Sequence, residues 1–434
     1  MEQDKIIVGL DIGTTKICVL VGKRSQRGKV EILGIGQAVS DGVVQGMVTN
    51  IDKTVVAIRQ AIKEAEDQSN IDINVVNVGI AGHHIQSTVH QGSITREAVE
   101  EEITVEDVAR LTSDMYRIVT PPGREIIHVT PQHYTVDYEE GIKDPVGMSG
   151  VKLEADFHII TAQTGAVNNV RKCVRRAGLE VESLILEPLA SSMAVLSDAE
   201  KEVGVCLVDI GGGTVDIAIF HDAIIQHTAV LPFGGKVITA DLRQGCKVME
   251  QQAELLKTRF GKALAEEASE NEVITIPSLH NRPPKEVSVR NLAYIIEARM
   301  AEIVELIHTE IIASSFQHKL AGGIVITGGG AQLQCVEQLF EHITGLDTRV
   351  GAPNEYLDAN SLEKVKDPAY ATGVGLVLAG FRALDYRDEY YRTAKDISGS
   401  ANRPSSKQDK QQGSDFFRRI LNKTKGLLID DYSA

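Results

Sequence analysis

The chain has 434 residues, a formal net charge of -15 at pH 7 and an ordinary globular composition. That length exceeds what one hydrophobic core supports, so two lobes or several subdomains are expected. The negative charge argues against nucleic acid as the main partner, although a local basic segment can still act alone.

The first element is a hairpin. Apolar runs from Ile6 to Leu10 and from Ile17 to Val21 flank Asp11-Ile12-Gly13-Thr14-Thr15, a strand–turn–strand pattern with aspartate at the corner. Glycine at such a corner lets backbone amides approach an anion. The aspartate beside it would repel phosphate unless a cation sits between them, which implies Mg²⁺ with nucleotide. Alone, the turn is weak evidence, since corners rich in Asp and Gly are common. It returns, however, as Asp209-Ile210-Gly211-Gly212-Gly213-Thr214 between Val205 to Val208 and Val215 to Phe220. Two such corners favour phosphate over a plain hairpin. Neither GxxxxGK[ST] nor a strand-to-helix GxGxxG occurs.

After the first hairpin the pattern predicts a strand at Val30 to Ile35, a helix from Asn50 to Gln68 capped by Asn50, and a strand at Val75 to Ile80. From Ile85 to Ile160 the texture changes to that of a small α+β insertion. Its acidic run (Glu97, Glu100, Glu101, Glu102, Glu106, Asp107) is either a solvated face or a charged contact surface. A helix is expected near Val105 to Met115, with strands at Glu125 to Thr130, Gln132 to Tyr138 and Lys152 to Ile160. A basic helix, Gln163 to Ala177, and a strand, Val181 to Leu186, lead to Glu187-Pro188 and a helix from Leu189 to Leu196. Glu187 is placed either to face a central cleft or to complement its helix dipole.

Beyond the second hairpin, Leu231-Pro232-Phe233-Gly234-Gly235 opens a helix near Ile238 to Gln244. In the next helix, Met249 to Gly261, Glu254 and Lys257 face the same way. Residues 265–290 read as a polar loop holding Arg282, Pro283, Pro284, Lys285 and Arg290. A long amphipathic helix follows, Val289 to Ala313. Strand Gly323 to Thr327 then delivers Gly328-Gly329-Gly330-Ala331 ahead of a helix, Gln332 to Thr344, a third anion edge or a plain strand-to-helix turn. Gly373 to Leu384 is a last small-residue helix.

The composition from Ile397 to Gly413 cannot support a core and predicts a flexible linker, with a span of about 20–25 Å as a coil. Past it, Phe416, Phe417, Ile420, Leu421, Leu427 and Leu428 fall within one helical arc of about 140°. Arg418, Arg419, Lys423 and Lys425 lie outside that arc. A basic amphipathic helix on a loose tether fits an anionic membrane surface better than a docking role, which would not need so many flanking cations. No run of about 18 apolar residues and no N-terminal signal occurs, so no spanning segment is expected. Cys18, Cys173, Cys206, Cys246 and Cys335 are scattered without a CxxC pair, a reducing, cytoplasmic pattern.

Two DIG hairpins, an EP turn between them and a late GGGA turn together resemble the actin, sugar-kinase and heat-shock ATPase superfamily. The finer resemblance, over essentially the whole chain, is to the FtsA family of bacterial division proteins. It is carried by IIVGLDIGTTKI (6–17), HVTPQHYTVDYEEGIKDPVGMSGV (128–151), LASSMAVL (189–196), VDIGGGTVDIAIF (208–220), RPP (282–284) and GIVITGGGAQL (323–333). The resemblance implies an α/β, two-lobed fold of duplicated ribonuclease-H-like domains with an FtsA-type, SHS2-like 1C insertion. The implied division is subdomain 1A at 1–84, 162–197 and 365–392, 1C at 85–161, 2A at 198–244 and 303–364, and 2B at 245–302. A linker at 393–413 and a membrane-targeting helix at 414–429 complete it.

By the same resemblance, Gly13, Thr14, Thr15 and Lys16 would hold the β- and γ-phosphates of ATP from one side and Gly211, Gly212, Gly213 and Thr214 from the other. Asp11 and Asp209 would hold Mg²⁺ through water. Glu254 and Lys257 would meet the adenosine, and Gly328, Gly329, Gly330 and Ala331 the ribose and α-phosphate. Glu187 resembles the carboxylate that orients the attacking water, for at most slow ATP hydrolysis. Arg282, Lys285, Arg290 and Arg299 would receive the acidic C-terminal tail of FtsZ. The implied protein is a peripheral one on the cytoplasmic face of the membrane at the division site. It would polymerise with itself, tether the FtsZ ring and meet later division proteins through subdomain 1C. The alternatives are a small-molecule kinase of the same superfamily, for which no substrate base is evident, or an FtsA-like adaptor of a secretion or pilus apparatus.

Overall fold

A computed structural model describes residues 5–25, 28–96, 102–277 and 284–400. The repeated sequence motif is the visible part of a repeated sheet. β1 (Ile6–Ile12), β2 (Lys16–Arg24) and β3 (Val30–Val39) form an antiparallel meander. A short ribbon of β4 (Val43–Val44) and β5 (Met47–Val48) leads into α1 (Ile51–Ser69). Asn50 caps α1 by accepting the Lys53 amide at 3.0 Å, and Ile58, Ala61 and Ala65 form its fully buried face. Helical spacing of apolar residues thus fixes which side of α1 meets the sheet. β6 (Val75–Ile80) then runs parallel to β1.

The insertion comes next. β7 (Ile85–Thr95), α2 (Val105–Met115), β8 (Arg124–Val136), β9 (Glu139–Ile142) and β10 (Lys152–Gln163) build a sheet of order β7-β10-β8-β9. Its own core contains Leu111, Leu153, Phe157 and Ile159. The two strands expected at 125–138 are one strand, β8. Its register against β10 shifts between Asp156 and Phe157, opposite Pro131, and the irregularity accommodates a residue that has no N–H to donate.

α3 (Thr164–Ala177) returns the chain to the first lobe, and β11 (Glu180–Leu186) completes the sheet β11-β6-β1-β2-β3. α4 (Glu187–Val195) starts at Glu187 itself rather than at Leu189, and α5 (Asp198–Val203) follows.

The second lobe repeats the plan. β12 (Val205–Ile210), β13 (Val215–His221) and β14 (Ile224–Leu231) form its meander. α6 (Gly235–Cys246), α7 (Glu250–Phe260), β15 (Val273–Ile276), β16 (Lys285–Ser288) and α8 (Val289–Ala313) come between the meander and β17 (Ile324–Thr327). α9 (Val336–Thr344) and β18 (Thr348–Val350) complete a sheet of order β14-β13-β12-β17-β18, again three antiparallel strands followed by two parallel ones. α10 (Ala371–Ser400) ends the described chain.

Several expectations are corrected. The stretch 265–290 is not a plain loop: β15 and β16 pair antiparallel, Lys285 opens β16 and Arg290 lies in the first turn of α8. α9 begins at Val336, because the glycines themselves enter a 3-10 turn, Gly329–Gln332, ahead of it. α10 continues past Leu384 to Ser400, over the first residues of the expected linker. The rest of that linker and the amphipathic segment, Phe416 to Leu428, lie outside the described residues.

α4 is buried from Pro188 to Val195 and packs on α10 between the two sheets. One core joins the lobes through it, combining Leu20, Ile32 and Leu186 with Leu207, Phe220, Val325, Val374 and Val377. Among the described residues, no helix is long and apolar enough to cross a membrane.

Candidate functional site

The two Asp-Gly corners face each other. A Cβ placed on Gly212 would fall 1.7 Å from Thr15 Oγ1, and one on Gly213 would fall 2.6 Å from the Thr14 side chain. Only glycine permits this approach. Each corner is also held from the opposite lobe or from its own flank. Lys236 Nζ donates to the Thr14 carbonyl at 2.9 Å, and Gln45 Nε2 to the Pro232 carbonyl at 2.8 Å. The first amides of α6, Gly235 and Lys236, donate to the Gly211 and Gly212 carbonyls at 2.9 and 2.8 Å. Thr14 Oγ1 accepts the Gly46 amide at 3.1 Å. A ligand held between the corners therefore has to part them.

Behind the corners lie four carboxylates near enough to perturb one another electrostatically. Asp11 is the penultimate residue of β1, Asp209 and Asp216 are direct cross-strand partners on β12 and β13, and Glu187 opens α4. Two like charges directly opposite on a sheet disfavour each other. Burial, opposed by Lys16 and reinforced by Asp209, pushes the Asp11 pKa up to about 6. Burial and the neighbouring Asp11, Asp216 and Asp209 push Glu187 well above its usual range, and burial with Asp209 does the same to Asp216. Asp11 and Glu187 keep some accessible surface, yet enough protein surrounds them for desolvation to dominate. Asp209 is also raised by burial, held back by hydrogen bonds from Ser191 Oγ (2.7 Å) and Thr372 Oγ1 (3.1 Å) on α4 and α10.

The group fits a hard cation. The donors are all oxygen, they carry excess negative charge, and Asp216 Oδ1 is buried without a hydrogen-bond partner. Among the described residues no three acidic, histidine or cysteine side chains converge to ligate an ion together, so Mg²⁺ would be held here through water. In the ion-free protein the raised Asp11 pKa has a signed consequence. Its stabilising contribution is complete below the unfolded value near 3.8 and is lost as pH rises through about 6. The stability advantage of Asp11→Asn over wild type should accordingly grow by about 2 kcal/mol from pH 4 to pH 7. Urea unfolding at both pH values measures it, and an advantage independent of pH would refute the burial of this charge.

The remaining expected residues separate into groups. Lys16 Nζ donates to the Ala369 carbonyl at 2.8 Å and lies 3.9 Å from the Tyr370 ring centre, and its charge acts on Asp11 and Asp209. Glu254 and Lys257 pair at 2.8 Å as expected, and Lys257 also donates to Thr239 Oγ1 and the Gly235 carbonyl, so this pair braces the start of α6. Gly328 has φ +82°, and a Cβ there would lie 2.3 Å from Asp209 Oδ1, which ties the third glycine turn to the carboxylates. Gly329 is open, whereas Gly330 packs on Ile210 and Ala331 is buried.

The expected basic group is not one free patch. Arg290 pairs with Glu270, Arg299 with Asp241 and Glu302, and Lys285 donates to the Cys246 carbonyl. Arg282 lies outside the described residues. A pocket of about 740 Å³ beside Lys29, Asn354, Asp358 and Lys366 contains no residue of either corner.

Asp216, Lys236, Ser191 and Thr372 were missed in the sequence. Asp216 sits inside an apolar run, and only the strand register reveals that it faces Asp209. Lys236 follows Gly234-Gly235, a signal that was legible.

Comparison with known proteins agrees with this architecture. The family model described as cell division protein FtsA matches residues 206–375, and the SHS2 domain inserted in FTSA matches residues 82–161. The chain is 41% identical over 382 residues to cell division protein FtsA of Pseudomonas aeruginosa, covering 88% of this chain and 91% of that one. It is 37% identical over 384 residues to that of Escherichia coli K12, covering 87% and 90%. With Borreliella burgdorferi the figures are 37% over 412 residues, covering 94% and 97%. Among solved structures, a PilM-PilN type IV pilus biogenesis complex aligns with a TM-score of 0.61 at 16% identity, covering 86% of this chain and 97% of that one. The ethanolamine utilization protein EutJ of Carboxydothermus hydrogenoformans aligns with a TM-score of 0.50 at 17% identity, covering 87% and 90%. These two share the actin-like fold. The chain belongs to the FtsA family of cell division proteins.

Proposed function

We propose that the chain binds ATP with Mg²⁺ between its two glycine corners, polymerises, and tethers the tubulin-like FtsZ ring to the cytoplasmic face of the membrane during division. The observation that carries this reading is the meeting of two equivalent corners, one from each lobe, over a cluster of buried carboxylates in which Asp216 Oδ1 has no hydrogen-bond partner. Gly13, Thr14, Thr15 and Lys16, with Gly211 to Thr214, hold the phosphates. Asp11 and Asp209 hold the cation's water, Glu254 and Lys257 flank the adenosine, and Gly328 to Ala331 meet the ribose. Mg²⁺ supplies charge neutralisation of the phosphates. Glu187 has its carboxyl at the start of a buried helix and would orient water for at most slow hydrolysis.

Phosphate held by both corners fixes the lobes in one defined relation, and subunits of fixed shape associate more readily. The amphipathic segment, with Phe416, Phe417, Ile420, Leu421, Leu427 and Leu428 flanked by Arg418, Arg419, Lys423 and Lys425, binds anionic lipid weakly on its own. Polymerisation makes each later binding event intramolecular and turns weak anchors into a firm one. The acidic tail of FtsZ docks at Lys285, Arg290, Arg299 and Arg282. It must compete there with Glu270 and Asp241, so its binding is salt-sensitive. Later division proteins meet the insertion.

The test is co-sedimentation with anionic liposomes, with and without ATP–Mg²⁺, comparing the full chain with residues 1–412. Only the full chain should pellet, and more so with ATP–Mg²⁺. Equal pelleting of both, or of neither, would remove the membrane tether.

A further inference from the structure

The insertion reaches the proposed site through a histidine. His128 on β8 is 4% exposed, and its Nε2 accepts the backbone N–H of Leu186 at 3.0 Å. Leu186 is the residue before Glu187 and the N-cap of α4, where no side chain of α4 itself supplies a cap. An amide can only donate, so Nε2 carries the lone pair and the ring is the neutral Nδ1–H tautomer. Burial and the nearby His158 hold the His128 pKa down to about 3, which keeps the ring neutral throughout the physiological range.

The same sheet also grips the second lobe. His158, 2% exposed on β10, lies 3.3 Å from Thr228 Oγ1 on β14, and Ser87 Oγ donates to the Thr228 carbonyl at 3.2 Å. Gln132 Nε2 donates to the Ile225 carbonyl at 2.9 Å. Thr228 is the cross-strand partner of Ala218, two residues along β13 from Asp216. The insertion therefore touches the root of Glu187 with one strand and the strand beside Asp216 with another.

We propose that His128 is a positioning residue of the nucleotide site: by holding the Leu186 N–H it fixes where α4 begins and so where the Glu187 carboxylate stands, which makes the insertion part of the site. This rests on the ATP reading above. A buried amide that loses its side-chain acceptor carries a desolvation penalty, and the first turn of α4 relaxes to recover a partner. A partner protein that displaces the insertion would act on Glu187 by the same route.

The experiment compares wild type, His128→Leu and His128→Gln as full chains. His128→Gln offers Oε1 as a replacement acceptor, and His128→Leu offers none. Hydrogen exchange of the backbone amides at 186–190 is read with α1 as a remote control, in the absence and presence of ATP–Mg²⁺. In His128→Leu, exchange at 186–190 should rise about tenfold with α1 unchanged, and the protection conferred by ATP–Mg²⁺ should be lost. His128→Gln should restore the wild-type pattern. Wild-type exchange at 186–190 in the Leu variant, equal loosening of α1, or no rescue by Gln would overturn the proposal. Failure of the ATP reading is seen separately, as wild type that binds no ATP. The nucleotide-free exchange comparison then still decides whether His128 holds the start of α4.

Discussion

Replacing Gly375 by alanine should destabilise the protein by about 3 kcal/mol, the high end for adding a methyl group to a packed core. Gly375 lies where α10 crosses α4. A Cβ there would come within 1.8 Å of the Ala190 carbonyl oxygen and 3.0 Å of the Ala190 Cα. Both are backbone atoms of a buried helix and have no rotamer to move into, so the helices must separate. Ser191 and Thr372, which hold Asp209, sit on those same two helices, so the site would distort with the core. Urea unfolding at neutral pH measures the loss. Gly165→Ala is the control: Gly165 lies in α3 with nothing within 4 Å of an added methyl, and alanine favours helix there by a few tenths of a kcal/mol. If both variants unfold alike, the close crossing of α4 and α10 is wrong.

Asp209→Asn should separate folding from binding. Burial raises the Asp209 pKa and Asp216 stands directly across the strand pair, so the negative charge disfavours the ion-free fold. Asparagine keeps a similar shape, and its amide can still meet the Ser191 and Thr372 hydroxyls, which both donate and accept. Stability without nucleotide should be unchanged or higher. Affinity for ATP–Mg²⁺ should fall by about thirtyfold or more, since a cation held through water loses a full charge in a poorly solvated site. Calorimetric titration alongside thermal unfolding reads both quantities. A variant that binds ATP–Mg²⁺ as wild type does would remove Asp209 from the site.

Much of the fold was legible because local pattern and tertiary packing agree. The two hairpins, α1 with its Asn50 cap, and the long helix α8 appear where apolar spacing and capping residues place them. Legibility failed where burial does not alternate. β7 is an edge strand exposed along most of its length, so its sequence lacks a one-sided apolar pattern. β15 and β16 are short and polar, and they pair within a region that reads as loop. Pro131 suggested a break in β8 that the register shift against β10 absorbs.

The pairing of the two DIG corners was legible because the motif repeats. Asp216 and His128 were not, because each acts across a gap that only register or packing closes. The first hairpin carries Cys18 opposite Asp11, where the second carries Asp216 opposite Asp209. The two halves are therefore equal in path and unequal in charge.

The proposed nucleotide site between the two corners is tested most directly by titrating the nucleotide-free full chain with ATP, with and without Mg²⁺, in an isothermal calorimeter. The expected result is one ATP per chain, with affinity about tenfold or more higher when Mg²⁺ is present. No binding at millimolar ATP, or the same affinity with and without Mg²⁺, would contradict it.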